Sequence, residues 1–305
     1  MGDNRSSASG VGLERSCSAR SADWLRSTDA EHGVECLEAW FGGFAYHKHR
    51  HDTYAICLTT NGAQAFDYRG ATHRSTPGQV VILHPDELHD GRAAGDAGFG
   101  YRIVYVEPAL IAEAAQAICG HACALPFVRE PVISSPRLAR AITGAFQQAR
   151  EPLATDGLVV RLAEGLLEAD PQCGRAARPR HGDAAALERA RQFLDAEKTR
   201  VVHSAELEAL SGLTRYDLAR QFRARYGTSP YRYLLMRRLD EARRQLAEGR
   251  ALVEVALATG FADQAHFTRL FKAAFGLTPA RYAALRARRD APLFAPCEAG
   301  ERHDG

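Results

Sequence analysis

The sequence predicts a two-domain α+β protein. An antiparallel β-barrel with following helices comes first, then an all-α module with two helix-turn-helix motifs joined by a long helix. Three observations predict it. Residues 204–282 contain one pattern written twice, offset by 48 residues at Gly212 and Gly260 and by 49 at Leu218 and Phe267. Residues 34–106 hold short strand-like runs separated by Gly and Pro turn signals. The charge is also split: residues 183–289 carry a net +8 and the remainder a net −6, although the whole chain is only +2. A basic module joined to an acidic one suits a nucleic-acid-binding part beside a part that does something else.

Met1–Ser21 is rich in Ser, Gly and charge, has little to bury, and reads as a disordered leader. The barrel is expected over 22–106, with strands at Val34–Phe41, Thr53–Thr59, Gln64–Tyr68, Gln79–Leu83 and Gly100–Val106. Asn61-Gly62 predicts a hairpin turn between the second and third of these. Connector helices follow over 107–171, at Pro108–Gln116, Ser135–Gln148 and Ala154–Glu168. The stripe Leu158, Leu162 and Leu166 either pairs with the same helix of a second chain or packs on the barrel. Residues 172–183, with Pro, Gly and arginines but no periodicity, read as an interdomain linker, and 290–305 as a flexible tail.

Seven of the twelve histidines lie between His32 and His89, and His47, His49 and His51 alternate, so a strand would put them on one face. Two readings stand side by side. His49, His51 and His89 could bind Zn or Fe, or the histidines line a polar effector pocket and no cofactor is needed. Tyr46, Tyr54, Phe66, Tyr68 and Arg69 would add aromatic surface with polar tips to such a pocket. The side-chain content allows an anionic or amino-acid-like effector, with sugars and aromatics open. No nucleophile–base pair or paired carboxylates stand out, so an enzyme is not expected. Seven cysteines without a short paired framework suggest reduced thiols, and Cys119 and Cys123 read chiefly as packing. With no secretory segment and no run of 18 apolar residues, a cytoplasmic protein is expected.

The DNA-binding module is expected over 184–289. Ala184–Glu197 is an amphipathic bracing helix, and Tyr231–Ala247 joins the two copies, carrying Arg232, Arg237, Arg238, Arg243 and Arg244. In each copy an i,i+4 pair faces inward, Leu218 with Phe222 and Phe267 with Phe271. The outward residues Tyr216, Arg220, Gln264, Ala265 and Arg269 are candidates for base edges, since Arg suits guanine and Gln suits adenine. Arg215, Arg223, Thr268 and Lys272 are placed toward phosphates, and Asp263 is placed as a helix cap.

The second copy, Ala256-Leu257-Ala258-Thr259-Gly260-Phe261-Ala262-Asp263-Gln264-Ala265-His266-Phe267, closing on Gly276-Leu277-Thr278-Pro279 and Tyr282, resembles the C-terminal signature of AraC/XylS transcription regulators. The first copy, with Gly227-Thr228-Ser229-Pro230 and Tyr233, resembles it too. More loosely, His47–Tyr54 and Pro85–His89 resemble the motifs of that family's N-terminal cupin-like antiparallel β-barrel. Metal-binding cupins usually place a glutamate where Ala55 stands, so the likeness argues against catalysis. The resemblance implies a sequence-specific transcription regulator, read as an activator. It would be controlled by a small-molecule effector and act as a homodimer on double-stranded DNA, with RNA polymerase a further possible partner. Two alternatives remain: a metal-dependent cupin enzyme fused to a helical module, and a helical interaction protein without DNA binding.

Overall fold

The computed structural model describes residues 23–28, 32–121, 123–147, 152–170, 172–173 and 184–287. The expected leader, most of the expected linker and the expected tail lie outside them.

Among the described residues, ten strands form two sheets. In chain order they are β1 Trp24–Ser27, β2 Val34–Phe41, β3 Phe44–His49, β4 Tyr54–Gly62, β5 Gln64–Tyr68, β6 Ala71–Ser75, β7 Val80–Leu83, β8 His89–Ala93, β9 Phe99–Val106 and β10 Val132–Ile133. One sheet runs β1-β2-β9-β4-β7-β10 and the other β3-β8-β5-β6. Every described pairing is antiparallel, and none joins the two sheets. The closed cupin-like barrel expected from the sequence is therefore not formed: both sheets are open, ending on β1 and β10 and on β3 and β6. Asn61-Gly62 explains part of that error. It makes no hairpin; the two residues pair with Gly100 and Phe99, and the chain then crosses into the other sheet.

The six-stranded sheet is buried on both faces, which is why its strands read as near-continuous apolar runs. Alternation divides each strand between two cores. Tyr54, Ile56 and Leu58 of β4, with Val104 and Val106 of β9, face helices α1 Pro108–Cys119, α2 Pro136–Ala145 and α3 Pro152–Ala169. Leu158, Leu162 and Leu166 are buried in that core, so the stripe packs within the chain. Ser135 caps α2 by accepting from the Leu138 N–H, and proline opens α1 and α2, where its missing N–H costs little. Cys119 ends α1, and its thiol lies with those of Cys123 and Cys173, none in a disulfide.

The C-terminal module contains α4 Ala184–Ala196, α5 Ser204–Ser211, α6 Arg215–Tyr226, α7 Pro230–Ala247, α8 Leu252–Ala258, α9 Gln264–Phe275 and α10 Pro279–Ala287. The repeat is thus two helix-turn-helix units, α5–α6 and α8–α9, joined by α7. Thr214 caps α6 through the Asp217 N–H at 3.2 Å, and Asp263 caps α9 through the His266 N–H at 2.7 Å. Leu218, Phe222, Tyr226, Tyr233 and Leu234 close a core with α4. The second unit has no such separate core. Leu239, Phe267, Phe271, Leu277 and Tyr282 belong to the same apolar cluster as Leu37, Phe41, Phe66 and Ile103 of the sheets. No described helix is long and apolar enough to cross a membrane.

Candidate functional site

Two regions bring the chemistry-bearing residues together: the outer faces of α6 and α9, and a cavity where the sheets meet the C-terminal module.

On α6, Tyr216 is 76% exposed, Arg220 and Arg223 project outward, and the Arg215 guanidinium lies 5.1 Å from the Tyr216 ring centre. Arg220 is held by Asp217 at 3.0 Å, one helical turn back. On α9, Gln264, Ala265 and Arg269 are exposed, and Thr268 and Lys272 half-exposed, opposite the buried Phe267 and Phe271. All five base-edge candidates therefore lie on solvent-facing surfaces at the start and middle of the second helix of a unit. The far end of α9 is occupied differently. The His47 and Arg50 N–H groups of the β3 edge donate to the Gly276 and Ala273 carbonyls at 3.1 and 3.3 Å.

The arginines of α7 divide between two jobs. Arg237 bonds Glu107 at 3.0 Å and Asp52 at 3.1 Å, Arg232 pairs with Asp86 at 3.3 Å, and Arg243 pairs with Glu35. From α10, Arg281 reaches Asp23 at 3.0 Å. Arg238 instead binds carbonyls of the turn after α4, and Arg244 pairs with Glu241 and Glu248. Part of the module's basic excess is thus met by the acidic excess of the sheets. The charge split expected to face DNA also docks one half of the chain on the other.

Beneath this seam lies a cavity of about 120 Å³, lined by Tyr46, His49, His51, Phe66 and His89 of the sheets. Met236 and Arg243 of α7, Phe275 of α9, and Leu277 and Tyr282 beyond it complete the wall. Five of the eight effector candidates read from the sequence therefore meet there. Tyr54, Tyr68 and Arg69 do not line it. The Tyr54 hydroxyl donates to Pro126 O at 2.8 Å in the other core, and Tyr68 bonds His84 at 2.9 Å. Arg69 lies over the Phe127 ring at 4.2 Å. The sequence reading missed Glu35, Tyr101, Tyr105 and the whole contribution of the C-terminal module. The alternating apolar pattern of β9 was a usable signal for Tyr101 and Tyr105; nothing local marked the rest.

Each cavity histidine is tied to a backbone carbonyl two residues away: His49 to His47 O at 2.8 Å, His51 to Thr53 O at 2.9 Å, and His89 to Glu87 O at 3.0 Å. A carbonyl only accepts, so each Nδ1 carries the hydrogen and each Nε2 is left as an acceptor. Burial pushes His49 and His51 well below the ordinary 6.5, and pushes His89 to about 4. The rings do not form the metal set considered from the sequence. Their centres lie 4.2, 4.9 and 6.3 Å apart. Among the described residues no group of three or more His, Cys, Asp or Glu is arranged to hold a metal ion.

These neutral histidines make stability depend on pH. His49, His51, His84 and His89 all titrate lower in the folded chain than the unfolded 6.5. The unfolded chain therefore takes up protons first, and stability complete above about 6.5 is lost as pH falls towards the folded values. Asp52 opposes this: burial, only partly offset by Arg237, raises it from 3.8 to about 6, so acid favours its folded form. Four groups outweigh one. Urea midpoints should fall from pH 7 to pH 5, as the unfolding free energy drops by about 1.4 kcal/mol per pH unit for each extra proton bound by the unfolded state. A midpoint that holds or rises would mean that these imidazoles are not buried neutral.

Comparison with known proteins agrees with this geometry. Residues 31–167 match the AraC-like ligand binding domain, and residues 207–284 match a helix-turn-helix domain family. The chain is 37% identical over 89 residues to the probable transcription factor PqrA of Proteus vulgaris, spanning 29% of this chain and 73% of that protein. It is 25% identical over 222 residues to the uncharacterized HTH-type transcriptional regulator YbfI of Bacillus subtilis, spanning 72% of this chain and 80% of that one. Among solved structures, ToxT from Vibrio cholerae O395 shares the fold at TM-score 0.60 and 11% identity, over 85% of this chain and all of that one. Unsaturated fatty acid-bound ToxT aligns at TM-score 0.57 and 14% identity, over 86% of this chain and 95% of that one. The chain belongs to the AraC/XylS family and is a sequence-specific DNA-binding transcription regulator.

Proposed function

We propose that a small apolar molecule bound between the sheets and the C-terminal module governs how this regulator engages DNA. One observation carries the reading: the wall of the cavity comes from both parts of the chain, with Tyr46 and His51 on one side and Met236, Phe275 and Tyr282 on the other. A molecule that fills it touches the module that reads DNA, and so has differential contact with docked and undocked arrangements. The fatty-acid-bound neighbour of similar fold supports an occupant that is largely hydrocarbon. Tyr216, Arg220, Gln264, Ala265 and Arg269 meet base edges in this reading, while Arg215, Arg223, Thr268 and Lys272 meet phosphates. The regulator acts as a homodimer on paired half-sites and activates transcription through contact with RNA polymerase.

The test is a thermal-shift screen of a metabolite panel, followed by DNA titration with each hit on a duplex selected from a random pool. A true effector should change DNA affinity about fivefold or more. Hits that stabilise the chain yet leave DNA affinity unchanged would refute the coupling.

A further inference from the structure

The cavity lining holds an unpartnered acceptor, and the charge of each of its two arginines is already met by carboxylates. His51 is 5% exposed, its Nδ1 donates to Thr53 O, and its Nε2 is buried with no partner. An acceptor left in that condition costs roughly 1–3 kcal/mol, so a donor placed against it gains that much over an equal-sized group without one. The two arginines of the lining do not call for an anion. Arg237 is met by Asp52 and Glu107, and Arg243 by Glu35 and Asp240. Much of the remaining lining is hydrocarbon, including Leu37, Phe66, Val81, Phe99 and Ile103. An apolar cavity of comparable size holds one benzene ring.

We propose that the effector is an uncharged lipophilic molecule of about one ring, bearing a hydroxyl that donates to His51 Nε2, rather than the anionic or amino-acid-like ligand that the side-chain content first allowed. This rests on the cavity being the effector site. A carboxylate would place its lone pairs against the imidazole lone pair, and it would lose water of hydration with no free cation to replace it. A hydroxyl donates to His51 Nε2, keeps a lone pair for a guanidinium N–H (the Arg237 and Arg243 Nε atoms are also buried without a partner), and leaves the arginine–carboxylate pairs intact.

Four probes of one shape test it by calorimetric titration of the full chain: 4-ethylphenol, 4-ethylanisole, 4-ethylbenzoate and 4-ethylbenzylamine. The phenol should bind about tenfold or more tighter than its methyl ether, and the benzoate and the amine should bind weaker than the phenol. In His51→Leu the phenol-to-ether ratio should fall to about one, with ether binding retained. Equal binding of phenol and ether by the native chain, tightest binding of the benzoate or the amine, or no binding of any probe, each overturns the proposal. Cys57→Trp, which fills the cavity, separates the two layers. Probe binding that survives it removes the cavity as the site; binding lost in Cys57→Trp but without the phenol preference removes only the hydroxyl.

Discussion

Arg243→Ala should cost about 3–5 kcal/mol and release the C-terminal module from the sheets. The side chains of Arg243 and Glu35 are 13% and 8% exposed, and a second contact of the pair, Arg243 Nη1 to Glu35 Oε2, is 2.9 Å. The guanidinium also lies over the rings of Phe275 and Tyr282, at 4.8 and 5.5 Å. Truncation leaves the Glu35 carboxylate buried and uncompensated, the case in which breaking an ion pair is most damaging. Removing both charges is much milder, so Glu35→Gln combined with Arg243→Met should recover most of the loss. Chemical denaturation gives the energy, and spin-label distances between β2 and α10 give the release. A loss below about 1 kcal/mol, with unchanged distances, would mean that this pair does not hold the halves together.

Gly276→Ala is the second large effect, and Gly212, a helix-ending glycine in open space, is its control. Gly212 and Gly276 both end helices in the left-handed region, at φ +72° and +69°, where a side chain costs roughly 1–2 kcal/mol. A Cβ at Gly212 meets nothing within 4 Å, whereas at Gly276 it falls 2.8 Å from His47 O and 2.9 Å from His49 Nδ1. Gly212→Ala should therefore show the conformational cost alone. Gly276→Ala should lose at least about 1 kcal/mol more, because the β3 edge must move off α9 and the His47 N–H loses its acceptor. Equal losses in denaturant titrations would place the α9–β3 contact outside the stabilising interface.

The two halves of the chain were not equally legible. The C-terminal helices could be read closely because their signals are local: glycines 212 and 260 in the turns, Asp263 as a cap, and inward pairs at i,i+4. Strands β2 and β5 were equally plain, since alternation and turn residues bound them. β1, β6, β8 and β10 were missed, and β3 was raised only as a condition on its histidines: these strands are short, and β6 carries Thr72, His73 and Arg74 on an edge, where no apolar pattern is required. Sheet closure could not be read at all, because it depends on pairing between strands far apart in sequence. The same limit applies to the cavity. His49 and His51 announced themselves by spacing, but Phe275 and Tyr282 reach the cavity only because the second helix-turn-helix shares a core with the sheets. Tyr54 and Tyr68 do not line this cavity, the first being turned to the α1–α3 core and the second bonded to His84.

The most direct test of the central claim, that α6 and α9 read base sequence, compares the native chain with Arg269→Ala on a selected duplex and a scrambled one across a salt series. Native binding to the selected duplex should weaken linearly in log salt as counterions are released. Arg269→Ala should lose about 1–3 kcal/mol on that duplex and little on the scrambled one. Equal losses on both duplexes, or a flat salt response, would contradict the claim.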